Sequence, residues 1–170
     1  MAIDYNLNTV AEQAINFTDY QYEYGQGLNG KRPDNVTSAL NSGMLSWGEK
    51  LDGKSTIQFD GKSYPYSAVK DNIKNFYRTG SSITNSISLS SGTETGSFRL
   101  SLANLNNNSI LRNSGLTRRT ANFTGNQKFG KKLTIDLMAN FVDDFNNNKP
   151  QLSDGPMNAN NINFLATNVS

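Results

Sequence analysis

The sequence predicts an all-β protein, an antiparallel meander that forms part of a transmembrane β-barrel and does not close on its own. Three observations carry that prediction. Four segments in the second half of the chain alternate apolar and small polar side chains with a period of two. The links between them are alternately short and long. Each segment runs about 10 residues, the length a tilted strand needs to cross a bilayer. Successive side chains point to opposite faces of a strand, so every segment offers one apolar face and one polar face.

Taken in chain order, residues 1–10 are irregular in pattern, and residues 11–25 read as an early strand. Tyr20, Tyr22 and Tyr24 share one face of it. Such a stripe fits an aromatic girdle at a membrane interface and fits equally an aromatic ladder in a soluble sheet. Residues 26–66 form a long connection, rich in glycine and carrying Pro33 and Pro65. A loop of that length counts against a compact soluble domain and is expected on the outer side of a barrel. Within it, Asp60-Gly61 between two short β-prone runs predicts a hairpin. Over residues 67–77, Ala68, Val69, Ile73 and Phe76 have helical spacing, with Ser67 as the expected cap, so the stretch reads as a short helix or a bent lead-in to the next strand.

The regular pattern then begins. The apolar sets are Ile83, Ile87 and Leu89 in residues 81–91, and Phe98, Leu100 and Leu102 in residues 97–105. They continue with Ala121, Phe123 and Phe129 in residues 119–129, and Leu133, Ile135, Leu137, Ala139 and Phe141 in residues 133–143. Residues 92–96 and 130–132 are the short turns. Residues 106–117 and the tail over residues 144–170, with Pro150 and Pro156, are the long links. Four strands and one early strand fall short of the roughly eight needed for the smallest barrels. The chain is therefore a section of a larger barrel or an open soluble sheet.

Composition narrows the chemistry. The chain has 170 residues, a net charge of +2, no Cys and no His. That excludes a disulfide framework, thiolate metal sites and a Ser-His-Asp triad within the chain. Asp143 and Asp144 are adjacent, so in a strand they face opposite ways and cannot pair as acid and base. No enzyme activity and no cofactor or metal are expected. The charge is too small and too scattered to indicate nucleic acid. Mean hydropathy is −0.59, which does not count against a barrel, because barrel strands are apolar on one face only. Asn is the outlier, with 25 copies including runs at 106–108 and 146–148. These fit wet loops; a prion-like tract is the competing reading. The first residues lack the basic and apolar regions of a secretory signal, so an exported barrel is expected to begin upstream of Met1.

Five elements, in order, resemble the SusC/RagA-type TonB-dependent transporters. Tyr24-Gly25-Gln26-Gly27 is similar to the motif that ends an early barrel strand in that family. Ser46-Trp47-Gly48-Glu49-Lys50-Leu51-Asp52-Gly53 resembles its Ser-Trp-Gly-x-Lys-hydrophobic-Asp-Gly element. The run from Asp71 to Gly80 resembles the approach to the next strand. Asn85-Ser86-Ile87-Ser88-Leu89-Ser90 resembles that strand, and Asn113-Ser114-Gly115-Leu116-Thr117-Arg118 the lead-in to a later one.

The resemblance implies a section from the early part of a barrel of about 22 strands. It divides the chain into an early strand (1–25), a long outer loop (26–66), strands and hairpins (67–143), and an outer loop with tail (144–170). It also implies an outer-membrane location, energised import of oligosaccharides or peptides, a SusD-like surface lipoprotein as partner, and TonB acting through a plug region outside this chain. The alternative is a soluble all-β carbohydrate-binding module. The apolar rows carry no charge between their end residues, and Arg99 and Asp136 fall on the other face, which favours lipid as the neighbour. Trp47, Tyr64 and Tyr66 in the long loop are the candidate ligand-binding residues, because sugar sites favour exposed aromatics with amide partners. Loop packing is the alternative role for all three.

Overall fold

Period-two alternation is realised as one five-stranded antiparallel sheet in the order β1-β4-β5-β6-β7. The computed structural model describes residues 1–151 and 158–169. The strands are β1 (Ala2–Glu12), β2 (Ser55–Ile57), β3 (Ser63–Pro65), β4 (Gly80–Gly92), β5 (Gly96–Asn108), β6 (Gly115–Phe129) and β7 (Leu133–Asn147). Two short helices, α1 (Val36–Ser42) and α2 (Asn72–Phe76), and a 3-10 helix over Ala159–Phe164 complete the described elements. The chain divides into two units. Met1–Gln13 and Arg78–Lys149 form a sheet unit; Ala14–Tyr77 and Pro150–Ser170 form a loop unit.

The sheet unit is an all-β meander that does not close into a barrel. Directly paired residues share a face, so the register assigns the faces. One row runs Ile3, Leu89, Leu100, Phe123, Ala139, and the next runs Tyr5, Ile87, Leu102, Ala121, Phe141. Leu137 pairs with Gly125, which pairs with Phe98, and Ile135 pairs with Gln127. The apolar residues expected to share a face therefore do so. The reverse face carries Asp4, Ser88, Ser101, Asn122 and Asn140 in one row.

Two expectations for this unit are corrected. The early strand lies at Ala2–Glu12, not at residues 11–25, and pairs with β4 from Ala2 opposite Ser90 to Glu12 opposite Gly80. Side chains explain why residues 14–24 leave the sheet. The Asn16 side-chain Oδ1 accepts the Thr18 N–H at 2.9 Å, and the Gln21 Oε1 accepts from Glu23 and Tyr24 N–H while its Nε2 donates to the Tyr24 carbonyl. Such local bonds compete with a strand ladder. The second correction concerns the β5–β6 link, which is confined to residues 109–114. Asn107 and Asn108 donate across to Ser82 and Ser81, so the asparagine run prolongs β5 instead of forming a loop.

In the loop unit, β2 and β3 form the expected hairpin, with Ile57 opposite Ser63 and Gly61 at φ +78. The helix expected over residues 67–77 is shorter, and its N-cap is Asp71 in left-handed conformation, not Ser67. Helix α1 carries a reciprocal cap that pattern alone does not announce. The Asn35 side chain accepts from Ser38 N, and the Ser38 hydroxyl oxygen accepts from Asn35 N. Pro156 of the tail lies outside the described residues.

Candidate functional site

In the loop unit the two loop motifs lie side by side. Tyr24 bridges Lys50, and Gly27 bridges Ser46. Gly25 N–H donates to the Glu49 carbonyl, Gly48 N–H to the Gly25 carbonyl and Leu51 N–H to the Glu23 carbonyl. The approach is so close that glycine is required at two points. A Cβ on Gly48 would collide with the Tyr66 hydroxyl and the Gln26 carbonyl, and one on Gly27 with the Lys31 carbonyl.

Tyr66 sits at the centre of this knot. It is 0% exposed, and its hydroxyl donates to the Gln26 carbonyl at 2.7 Å. Burial pushes its phenol up from the ordinary value. Gln26 N–H donates to Asn168 Oδ1 at 2.6 Å, and the Gln26 amide donates to the Ala39 and Gly43 carbonyls. Gln58 in turn donates to the Asn168 carbonyl. This core is thus held by amides bonded to backbone, while among the described residues Gln26 Oε1 and Asn168 Nδ2 are buried without a hydrogen-bond partner.

Arg32 clamps the same region from outside. Its guanidinium lies 4.5 Å over the Tyr66 ring. It donates to Glu49 Oε2 at 2.8 and 2.5 Å and to both Asp52 oxygens at 2.7 and 2.8 Å. These bonds hold the Asp52 and Glu49 carboxyls below the usual carboxylate range.

The three aromatic candidates therefore part company. Tyr66 is a core residue. Tyr64 is half-buried, and its hydroxyl donates to Asp60 at 2.8 Å, which raises its own pKa. Trp47 is 67% exposed, held through its backbone carbonyl, which accepts from Gly30 N–H at 2.9 Å. It is the one of the three whose ring is presented to solvent. Exposed Leu45 lies two residues before it in sequence, and exposed Leu28 follows Gly27, whose N–H donates to the Leu45 carbonyl.

Sequence reading missed a second place in this unit. Tyr20, Tyr22 and Tyr77 line a recess of about 330 Å³ together with Asp71, Ile73 and Lys74. The tyrosine stripe was its only signal, and it pointed to a strand.

In the sheet unit, a recess of about 710 Å³ opens along the polar face, lined by Ser90, Arg99, Thr124, Asn126, Asp136 and Met138 among others. Arg99 donates to Ser88 Oγ at 3.0 Å, and Ser88 donates to Asp4 at 3.4 Å. At the loop end, Arg78 donates to the Ser109 and Ser114 carbonyls and fastens the β5–β6 link, where Asn113 has φ +61. Among the described residues no group of three or more His, Cys, Asp or Glu is placed to hold a metal ion.

No family model matches the chain, and no curated protein matches it.

Proposed function

We propose that this chain is a section of the wall and outer loops of an outer-membrane import barrel of the SusC/RagA type. The observation that carries the reading is the uncovered apolar face of the sheet unit. Leu137 is 59% exposed and Phe141 64% exposed, on a face whose rows are continuous across five strands. A soluble core does not leave such a patch open; a contiguous face of this kind marks an interaction surface or lipid contact. Charge on that face begins only at the border row, where Arg119 lies opposite Asp143 at 3.7 Å.

The dimensions agree with lipid as the neighbour. From Leu133 to Phe141 the strand advances ~27 Å at ~3.4 Å per residue, or ~21 Å along the bilayer normal at ~40° tilt. A barrel's apolar band is ~25 Å tall. Both outer strands of the sheet have an unpaired edge, which hydrocarbon does not tolerate. The reading therefore requires further strands to complete the wall.

Within this reading residues 26–66 form an outer loop, and exposed Trp47 is its contact residue toward an oligosaccharide or peptide substrate or a SusD-like lipoprotein. TonB would act through a plug region that is not part of this chain. The wall assignment is tested by placing the only tryptophan on each face in turn, in a Trp47→Phe background reconstituted in phospholipid vesicles. Brominated acyl chains should quench Leu137→Trp strongly and Asn140→Trp weakly. Equal quenching at the two positions would defeat the assignment.

A further inference from the structure

The two ends of the sheet unit hold their cations differently. At the end with the long links, the two strand arginines are neutralised by β7 in register. Arg118 makes two hydrogen bonds to Asp144, at 2.6 and 2.8 Å, and Arg119 faces Asp143. At the short-turn end, Lys131 and Lys132 occupy the β6–β7 turn, entered through Gly130 at φ +63. Both are exposed, and neither has a carboxylate partner among the described residues. Lys128 is also unpaired but lies on the polar face opposite Thr134. The neighbouring β4–β5 turn carries Glu94 and is joined to β6 by the bond from Lys128 N–H to the Thr95 carbonyl.

The residues flanking the two lysines decide what they face. Phe129 and Leu133 close the turn as a direct cross-strand pair on the apolar face, and both are exposed. A lysine beside such a pair can lay its stem along apolar surface while its ammonium reaches outward to a polar layer. Unpaired ammonium groups bordering an apolar band complement phosphate.

We propose that the short-turn rim is a docking surface for anionic phospholipid headgroups, with Lys131 and Lys132 at the phosphates and Phe129 and Leu133 at the acyl boundary. The proposal rests on the reading that the apolar face meets lipid, and adds which end of the sheet meets negative charge. A lysine near an anionic membrane surface contributes about fivefold in binding, so the pair contributes on the order of twenty- to thirtyfold.

The test is co-flotation of the full chain with two kinds of vesicle, phosphatidylcholine alone and an equimolar mixture with phosphatidylglycerol. At low salt the mixture should be preferred by that factor. The preference should collapse in the double variant Lys131→Gln, Lys132→Gln, and also at ~1 M salt, where charges are screened beyond ~3 Å. It should persist in the double variant Arg118→Gln, Asp144→Asn, which removes a pair already neutralised. Equal binding to the two vesicles, or a preference that survives the lysine changes, would overturn the proposal. A chain that floats with neither vesicle would overturn the lipid-facing reading itself and this proposal with it, so the two failures are distinguishable.

Discussion

In the sheet unit the large apolar side chains lie outside, whereas in the loop unit polar side chains take many of the buried places. Ile135, Leu137 and Phe141 are exposed on β7, while Gln26, Thr56, Gln58 and Asn168 are buried in the loop unit beside Tyr66. The sheet is held by backbone ladders whose register follows from alternation. The loop unit is held by particular hydrogen bonds between side chains and backbone, and by glycines that allow two segments to touch. The difference teaches where each region finds its stabilising partner. The loop unit carries its own. The sheet unit has ordered strands but needs an apolar neighbour to cover one face, and hydrophobic burial is the dominant favourable contribution to folding.

The largest expected effect breaks the loop side of this contrast. Tyr66→Ala removes a ring with no exposure, its hydroxyl bond to Gln26 and the surface on which Arg32 stacks. Truncating a buried aromatic costs about 3–5 kcal/mol. Hydrogen exchange should show amide protection lost at Gly25, Gly48 and Leu51, with β4 to β6 protected as before. Loss of protection throughout both units would show that the sheet depends on the loop knot, and the contrast would fail.

The next effect tests the sheet side. On the proposed reading, Leu137→Arg in the completed barrel should cost about 2–4 kcal/mol if that position lies near the bilayer midplane. Asn140→Arg, on the polar face of the same strand, should cost about 0.5 kcal/mol or less. Ser88 is a poorer control for the polar face, because it is buried and bonded to Arg99 and Asp4. Reversible unfolding in lipid measures both variants. Equal costs would mean that the two faces of β7 meet similar surroundings.

How much of this was legible in the sequence follows the same division. The face shared by Ile87, Leu100, Phe123 and Leu137 could be read because its signal is local, one alternation per strand, and pairing only aligns what each strand already shows. The strand β1 has the same alternation in Ile3, Tyr5 and Leu7, yet the tyrosines at 20, 22 and 24 gave a bolder stripe. Only the side-chain bonds of Asn16 and Gln21 reveal that this stripe is not a strand. The loop core was not legible. Tyr66 meets Gln26 from 40 residues away, and Asn168 meets it from 142. Nothing in the identity of an amide announces that it will be buried. The glycines of the two loop motifs were visible, but the contact between the motifs that requires them is a tertiary fact.

The smallest expected effect sharpens the contrast by pH. Hydrogen bonds from Arg32 depress the Asp52 and Glu49 carboxyls in the folded loop unit. Groups depressed on folding add stability above their unfolded values, roughly 3.9 for Asp and 4.3 for Glu, and that stability is lost as pH falls below them toward the folded values. Arg32 stays cationic throughout, so protonation breaks the clamp from the carboxylate side only. Both carboxylates are partly exposed, so the contribution is modest and weakened by salt. Amides of the loop unit near Arg32 should therefore exchange faster as pH drops through that window, after correction for the intrinsic exchange rate. The β4–β5 ladder, which carries no arginine–carboxylate pair, should keep its protection, in contrast to β6 and β7, which share the Arg118–Asp144 pair. An Arg32→Gln variant should show a weaker pH dependence in the loop unit, since the two carboxyls would keep only the bonds from the backbone N–H groups of position 32 and Lys54. If the variant keeps the dependence of the parent chain, other groups control the acid response and the clamp is not its cause.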